Sequence, residues 1–321
     1  MAMDRDSKIF IAGHTGLVGA AVQRRLESEG FGNLLVRAHP ELDLTRQREV
    51  EDFFRQEKPE YVFLCAARVG GILANATYPA EFIYDNIMIA ANVIHAGFRF
   101  GVKKLLNLGS SCIYPKLAPQ PLKEEHLLTG ILESTNEPYA IAKIAAIKLC
   151  RYYNTQYGTN FLSVMPTNLY GPHDNFDLET SHVLPALIRR FYEAKRSSAS
   201  QVTLWGTGGP LREFLYVDDL ADACVHLMKN YDAKSIGEFI NVGTGNDIAI
   251  RDLAEMVSRI AGYGGKVLWD SGKPDGTPQK LLDISRILAT GWSPSTGLAE
   301  GIERTFQWYV EERRRELARH E

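Results

Sequence analysis

Lys8-Ile9-Phe10-Ile11-Ala12-Gly13-His14-Thr15-Gly16-Leu17-Val18-Gly19 is the stretch that decides the fold. Lys8 to Ala12 is short, continuous and apolar, the pattern of a buried strand. A helix is expected from about Leu17 to Glu29, with Val18, Val22 and Leu26 on one face. Between them Gly13, Gly16 and Gly19 form G-x-x-G-x-x-G. Glycine permits the positive φ and close backbone approach needed beside a pyrophosphate. The helix N-terminus adds N–H groups and a positive dipole end. Strand, glycine turn and helix in that order read as a dinucleotide site made by Gly13, His14, Thr15, Gly16, Leu17, Val18 and Gly19. The pattern alone is weak and gains weight from a second motif farther along the chain.

Working outward, strand and helix keep alternating. Strands are expected at 33–36, 61–65, 104–108 and 161–165, and helices at about 46–56, 79–100 and 139–157. That alternation predicts an α/β fold, a Rossmann-type doubly wound parallel sheet. After about Gly171 the pattern loosens into a smaller C-terminal α/β substrate lobe. The expected division is a nucleotide-binding domain over 1–171 and an interleaved substrate-binding lobe over 172–321. Phe239-Ile240-Asn241-Val242-Gly243 reads as a strand that rejoins the main sheet. Pro119 to Ile131 reads as a surface loop without chemistry, and Glu311 to Glu321 as a solvated helix end.

The second motif is Tyr139-Ala140-Ile141-Ala142-Lys143, preceded by Leu108-Gly109-Ser110-Ser111-Cys112-Ile113-Tyr114-Pro115. Tyr139 and Lys143 are four apart and share a helix face. An ammonium beside a phenol lowers its pKa. Such a phenol can give or take a proton at a carbonyl or hydroxyl carbon. A serine hydroxyl on the same oxygen completes a polar clamp. Together with the glycine turn this predicts hydride chemistry on a bound dinucleotide.

The formal net charge of −3 argues against a general nucleic-acid binder. Cys65, Cys112, Cys150 and Cys224 are scattered, with no C-x-x-C pair, so neither a zinc ribbon nor a disulfide framework is expected. A reduced, cytoplasmic setting follows, with no metal, no signal peptide and no membrane span. An acid after the second strand would bind a ribose 2′-OH, and an arginine a 2′-phosphate. Here Val36-Arg37-Ala38-His39 carries no acid before Glu41, so Arg37 tilts the cofactor to NADP(H). Asp43 is better placed for the adenine.

The chain resembles the extended short-chain dehydrogenase/reductases and, within them, the GDP-L-fucose synthases. The generic part is the glycine turn with Tyr139 and Lys143. The specific part is Val69-Gly70-Gly71-Ile72, the block 109–115, Met165-Pro166-Thr167-Asn168-Leu169-Tyr170-Gly171-Pro172-His173-Asp174-Asn175-Phe176, Ser181-His182-Val183-Leu184-Pro185 and Lys273-Pro274-Asp275-Gly276-Thr277-Pro278. The resemblance covers nearly the whole chain. It implies epimerisation of GDP-4-keto-6-deoxy-D-mannose at C3 and C5, then NADPH reduction of the C4 ketone.

By that resemblance Tyr139 is the proton donor. Lys143 lowers its pKa and binds the nicotinamide ribose. Ser110 orients the ketone oxygen, with Ser111 the alternative serine. Cys112 is the base and His182 the acid of the epimerisation. Leu108 to Ser111, Pro166, Thr167, Asn168 and Leu169 flank the cofactor together with His182 and His39. A GDP-sugar's diphosphate wants cations, for which Arg190, Arg212 and Lys280 are candidates. Trp205 offers a flat apolar face, and Asp275 a carboxylate for sugar hydroxyls or base N–H groups. Some relatives carry arginines where this chain has Thr15 and His39, leaving Arg37 as the main cation for a 2′-phosphate. The family pattern is a homodimer through a four-helix bundle, here drawn from Ala91, Val93, Ile94, Phe98, Ile144, Ile147 and Leu149, which a single sheet face cannot all cover. The rivals are a 4-epimerase or a dehydratase on the same fold. A dehydratase would carry an Asp-Glu pair beside the serine, where this chain reads Ser-Ser-Cys.

Overall fold

The computed structural model describes residues 3–273 and 275–318. Pro274 of the substrate loop, the end of the charged tail (319–321) and the side chain of Ile72 lie outside the described residues. The nucleotide half opens with β1 (Ile9–Ala12), α1 (Leu17–Ser28), β2 (Leu34–Leu35), α2 (Gln47–Glu57) and β3 (Tyr61–Leu64). It continues with α3 (Ile72–Thr77), α4 (Pro79–Arg99), β4 (Lys104–Leu108), α5 (Glu137–Tyr157) and β5 (Phe161–Pro166). Then come β6 (Asn168–Tyr170), α6 (Val183–Arg196), β7 (Gln201–Trp205), β8 (Leu211–Tyr216), α7 (Val217–Asn230) and α8 (Ala233–Ile236). The chain closes with β9 (Ile240–Val242), β10 (Asp247–Ala249), α9 (Ile250–Ala261), β11 (Lys266–Asp270), β12 (Gln279–Lys280), α10 (Ser285–Leu288) and α11 (Leu298–Ala318).

Six parallel strands form the central sheet in the order β2-β1-β3-β4-β5-β9. The chain moves outward from β1 to β2, then returns to β3 on the other side. That reversal opens a crevice at the carboxyl ends of β1 and β3, where α/β sheets bind ligands. β1, β3, β4 and β5 are buried at every residue, as continuous apolar runs covered on both faces should be. One face packs against α1 and α7, the other against α2, α4 and α5. β9 pairs with β5 from Val164↔Ile240 to Pro166↔Val242, so residues beyond 172 complete the sheet. A second sheet, β10-β8-β12 with β6 beside β8, and the parallel pair β11–β7 build the lobe.

Pro119 to Ile131 runs mostly exposed over the surface, as expected, and is anchored at Leu122 and Glu124. Leu122 is buried and bridges Leu282, and Asn241 Nδ2 donates to the Leu122 carbonyl at 2.9 Å while Asn241 N donates to Glu124 Oε1 at 3.0 Å. Long-range polar bonds hold a segment with no periodic signature. The apolar residues cited for a dimer are largely spent within one chain. α4 and α5 lie side by side on the sheet and bury Val93, Ile94, Ile144 and Ile147 between them and the core. The apolar side chains left outward on these helices are Tyr84, Ile141, Tyr152 and Tyr157, with Ala91, Phe98 and Leu149 partly covered.

Candidate active site

The glycine turn leaves β1 with Gly13 at φ +85°, and a Cβ there would stand 2.8 Å from the backbone of Ala66. A Cβ on Gly19 would stand 2.1 Å from the Gly13 carbonyl oxygen, so α1 seats directly on the turn. Gly16 caps α1 with no side-chain hydrogen bond, and the first turn holds no acid. Its leading N–H groups and positive dipole end are therefore available to an anion. Thr15 and Gly16 face outward, and His14 Nδ1 is buried without a partner. These features fit a dinucleotide pyrophosphate. Ala66 closes the other side of the cradle. Sequence reading missed it, because its signal is the small side chain that Gly13 requires opposite.

At the adenosine end the geometry is less open than expected. Arg37 is not a free cation: its Nη2 lies 2.8 Å from Glu57 Oε1, its Nη1 donates to the Val36 carbonyl at 2.8 Å, and its guanidinium rests 5.5 Å from the Phe53 ring centroid. The Glu57 partner comes from the end of α2, twenty residues on, and has no sequence signal. His39 is 79% exposed at its side chain and 4.0 Å from Asp43. Asp43 Oδ1 accepts from Thr45 N at 2.9 Å and Thr45 Oγ1 at 2.7 Å, a turn-forming arrangement.

Ser110, Cys112, Tyr139 and Lys143 come together where β4 ends against α5. Ser110 caps the short turn Ser111–Ile113, and Ser111 and Cys112 are buried. Tyr139 and Lys143 are also buried, one turn apart. Lys143 Nζ donates to the Leu108 carbonyl at 2.8 Å and stands 5.6 Å from the Tyr139 ring centroid. The hydrogen bond of this lysine thus goes to the backbone, and its charge faces the Tyr139 ring. Burial raises the Tyr139 hydroxyl far above its usual range, the neighbouring Cys112 adds to that, and the Ser110 hydroxyl works against it. Burial also pulls Lys143 down to about 8. Tyr139 therefore stands as a neutral phenol with its proton in place. Beyond it, Thr167 N donates to Val242 O at 3.0 Å and Asn168 Nδ2 to Glu213 O at 2.7 Å, which fixes the 166–169 wall.

His182 caps α6, and its carbonyl accepts from Ala186 N at 3.1 Å. The residue reaches solvent, yet enough protein surrounds its ring that desolvation, helped by the Lys280 charge, holds the imidazole below the usual range. Lys280 lies on β12 in register with Arg212 on β8. Its charge also reaches Cys112: burial raises that thiol, and Lys280 is the strongest influence pulling it back. One cation is thus shared by the two residues expected to move protons. Burial lowers Arg212, with the Asp275 charge opposing. Arg190, two turns along α6 from His182, makes no ion pair or hydrogen bond among the described residues.

Trp205 ends β7 with 61% of its surface exposed and Lys273 Nζ 5.4 Å from its ring centroid. Asp275 already accepts hydrogen bonds within the chain, from Thr207 N at 2.7 Å and Thr207 Oγ1 at 2.8 Å. It ties residues 275–278 to the turn after Trp205. The described residues hold no metal-binding cluster of His, Cys, Asp or Glu.

The model of the NAD dependent epimerase/dehydratase family matches residues 9–243. GDP-L-fucose synthase 1 of Arabidopsis thaliana is 59% identical over 307 residues, 96% of this chain and 94% of that protein. The GDP-L-fucose synthase of Escherichia coli K12 is 54% identical over 310 residues, 95% and 97% of the two chains. Among solved structures, a GDP-L-fucose synthetase from Naegleria fowleri bound to NADP superposes with a TM-score of 0.91 at 31% identity, covering 98% of this chain and 96% of that one. Matched so over nearly its whole length, the chain belongs to the NAD dependent epimerase/dehydratase family, on its GDP-L-fucose synthase branch.

Proposed function

We propose that this protein makes GDP-L-fucose from GDP-4-keto-6-deoxy-D-mannose, epimerising C3 and C5 and then reducing the C4 ketone with NADPH. The observation that carries this reading is Cys112 buried in one cluster with Tyr139, its N–H 3.5 Å from Ser110 Oγ, in a chain 54–59% identical to GDP-L-fucose synthases. A simple ketone reductase needs the clamp and has no use for a second acid–base pair.

The ketone acidifies the hydrogens on C3 and C5. Ser110 and Tyr139 hold the C4 oxygen and stabilise the negative charge that develops there. Cys112 removes a proton from one face of the neighbouring carbon, and His182 returns one to the opposite face. Lys280 stabilises the Cys112 thiolate. NADPH, when bound, supplies the hydride that reaches C4. Tyr139 delivers its proton to the C4 oxygen, and Lys143 holds the nicotinamide ribose. Arg190 and Arg212 take the diphosphate, Trp205 gives the base a flat face, and Asp275, tied to Thr207, offers its remaining lone pairs to sugar hydroxyls or base N–H groups. Gly13 to Gly19 hold the pyrophosphate of the cofactor. Arg37 with His39 receives the 2′-phosphate, and Leu108 to Ser111 and Pro166 to Leu169 line the nicotinamide.

The reading extends to assembly and place. Tyr84 on α4 and Ile141 and Tyr152 on α5 form the outward apolar face of a helix pair, suited to an isologous four-helix contact in a homodimer. No helix among the described residues is long and apolar enough to cross a membrane, and a cytoplasmic location is proposed with it.

The test is turnover of GDP-4-keto-6-deoxymannose in D2O, followed by reduced-nicotinamide absorbance and product NMR. One NADPH consumed per GDP-L-fucose, with deuterium at C3 and C5, is the expected result. Reduction without deuterium at either carbon would leave a C4 reductase alone.

A further inference from the structure

Gly71 and Asn75 have no part in the site as described, yet they join its two sides. Gly71 leads into α3, and its N–H donates to the Thr180 carbonyl at 2.8 Å. Thr180 belongs to a self-bonded turn that ends at His182. Asp177 Oδ1 accepts from Glu179 N at 3.1 Å, Thr180 N at 3.0 Å and Thr180 Oγ1 at 2.9 Å, and Ser181 N donates to Asp177 O at 2.9 Å. A turn bonded this way holds its shape, and His182 follows it directly at the start of α6, so the Gly71 contact and α6 together fix where His182 stands.

Gly71 has φ −66°, which any residue adopts, so backbone conformation does not require glycine there. Space does. A Cβ would lie 2.9 Å from the Ser181 carbonyl oxygen and 3.3 Å from that of Thr180, both backbone atoms. Asn75 is buried and clamps the turn from behind, its Nδ2 donating to Gly70 O at 2.8 Å and Gly71 O at 3.0 Å. On the other side, Ala74 and Phe82 pack in one cluster with Cys112 and Tyr139, and the Phe82 ring meets Tyr139 edge-on at 6.5 Å. The short helix thus spans from the His182 turn to the Cys112–Tyr139 floor.

We propose that Gly71, clamped by Asn75, is a positioning residue for epimerisation that sets the separation of His182 from the Cys112 side of the sugar. The inference rests on the proposed roles of Cys112 and His182 in epimerisation. Proton transfer at two faces of one carbon tolerates little displacement, and an error near 1 Å can cost about 100-fold. Cofactor binding draws mainly on the glycine turn, Arg37 and residues 108–111, and the Ser110–Tyr139 clamp on β4 and α5, so both should respond far less than exchange does.

The experiment compares Gly71→Ala, Asn75→Ser and His182→Gln with wild type. It reads solvent-deuterium incorporation at C3 and C5 of the ketosugar by NMR, and the NADPH dissociation constant by fluorescence. Gly71→Ala should lose at least tenfold in exchange with NADPH affinity within twofold, and Asn75→Ser a smaller loss of the same kind. Should Gly71→Ala fail to fold, Asn75→Ser decides alone. Wild-type exchange in the folded variants while His182→Gln is impaired would overturn the inference and spare the site assignment. Exchange and NADPH affinity falling in parallel would also overturn it, as general damage. Wild-type exchange in His182→Gln would remove the site assignment and this inference with it.

Discussion

Lys143 Nζ stands over the face of the Tyr139 ring, 5.6 Å from its centroid, and gives its hydrogen bond to the Leu108 carbonyl rather than to the phenol oxygen. The phenol keeps its proton because it is buried, and a loaded phenol is the form that reduction consumes. Tyr139→Phe removes that proton and little packing. Reduction should fall by on the order of 100-fold or more, with NADPH affinity nearly unchanged. Near-normal NADPH oxidation by folded Tyr139→Phe protein would sink the assignment.

Lys280 bears on the pH dependence of epimerisation. A thiol acts as base once deprotonated, so exchange should rise with pH through the Cys112 pKa. Burial raises that pKa and the Lys280 charge lowers it. Lys280→Met removes the lowering influence, so the rising limb should move to higher pH. The same change should lift the His182 imidazole, which Lys280 depresses. The check is the rate of deuterium exchange from neutral pH to well above the ordinary thiol pKa, with and without Lys280. An unmoved rising limb would show that Lys280 does not act on the thiol.

The Arg37–Glu57 pair tempers cofactor choice. A charged contact to the 2′-phosphate is worth roughly 1–3 kcal/mol. Glu57 competes for the same guanidinium, and an exposed pair of this kind holds about 0–1 kcal/mol. The preference for NADPH over NADH should therefore be modest, about 5- to 30-fold. Arg37→Ala should erase most of it through the NADPH Michaelis constant, and Glu57→Gln should raise it. Equal use of both cofactors by Arg37→Ala and wild type would remove Arg37 from the site.

Asp174 gives a stability prediction. Its Oδ1 accepts from Asn175 N at 2.7 Å, while Oδ2 is buried without a partner, and burial pushes the carboxyl up to about 7. Folded protein holds this proton more tightly than unfolded chain. The contribution is fully present below the ordinary carboxylate pKa and is lost as pH rises through about 7. Asp174→Asn keeps the acceptor and removes the buried charge. It should stabilise the protein at pH 8 by on the order of 1–4 kcal/mol and scarcely at pH 4. Urea unfolding at the two pH values measures the difference, and an equal effect at both would refute the account.

The sequence by itself determined what is local and periodic. The apolar run ending at Ala12, the glycines at 13, 16 and 19, and the helical spacing of Tyr139 and Lys143 each announce their element, because burial of a strand or helix face imposes its period on the chain. Only the tertiary structure decided which charges are spent and which backbones touch. It paired Arg37 with Glu57, joined Asp275 to Thr207, set Lys280 on β12 beside Arg212 on β8, and brought Gly71 against Thr180. The residues in these contacts come from separate elements, 20 to about 110 positions apart. Such contacts form through side-chain reach and backbone approach once the sheet is assembled, and neither leaves a repeat in the sequence.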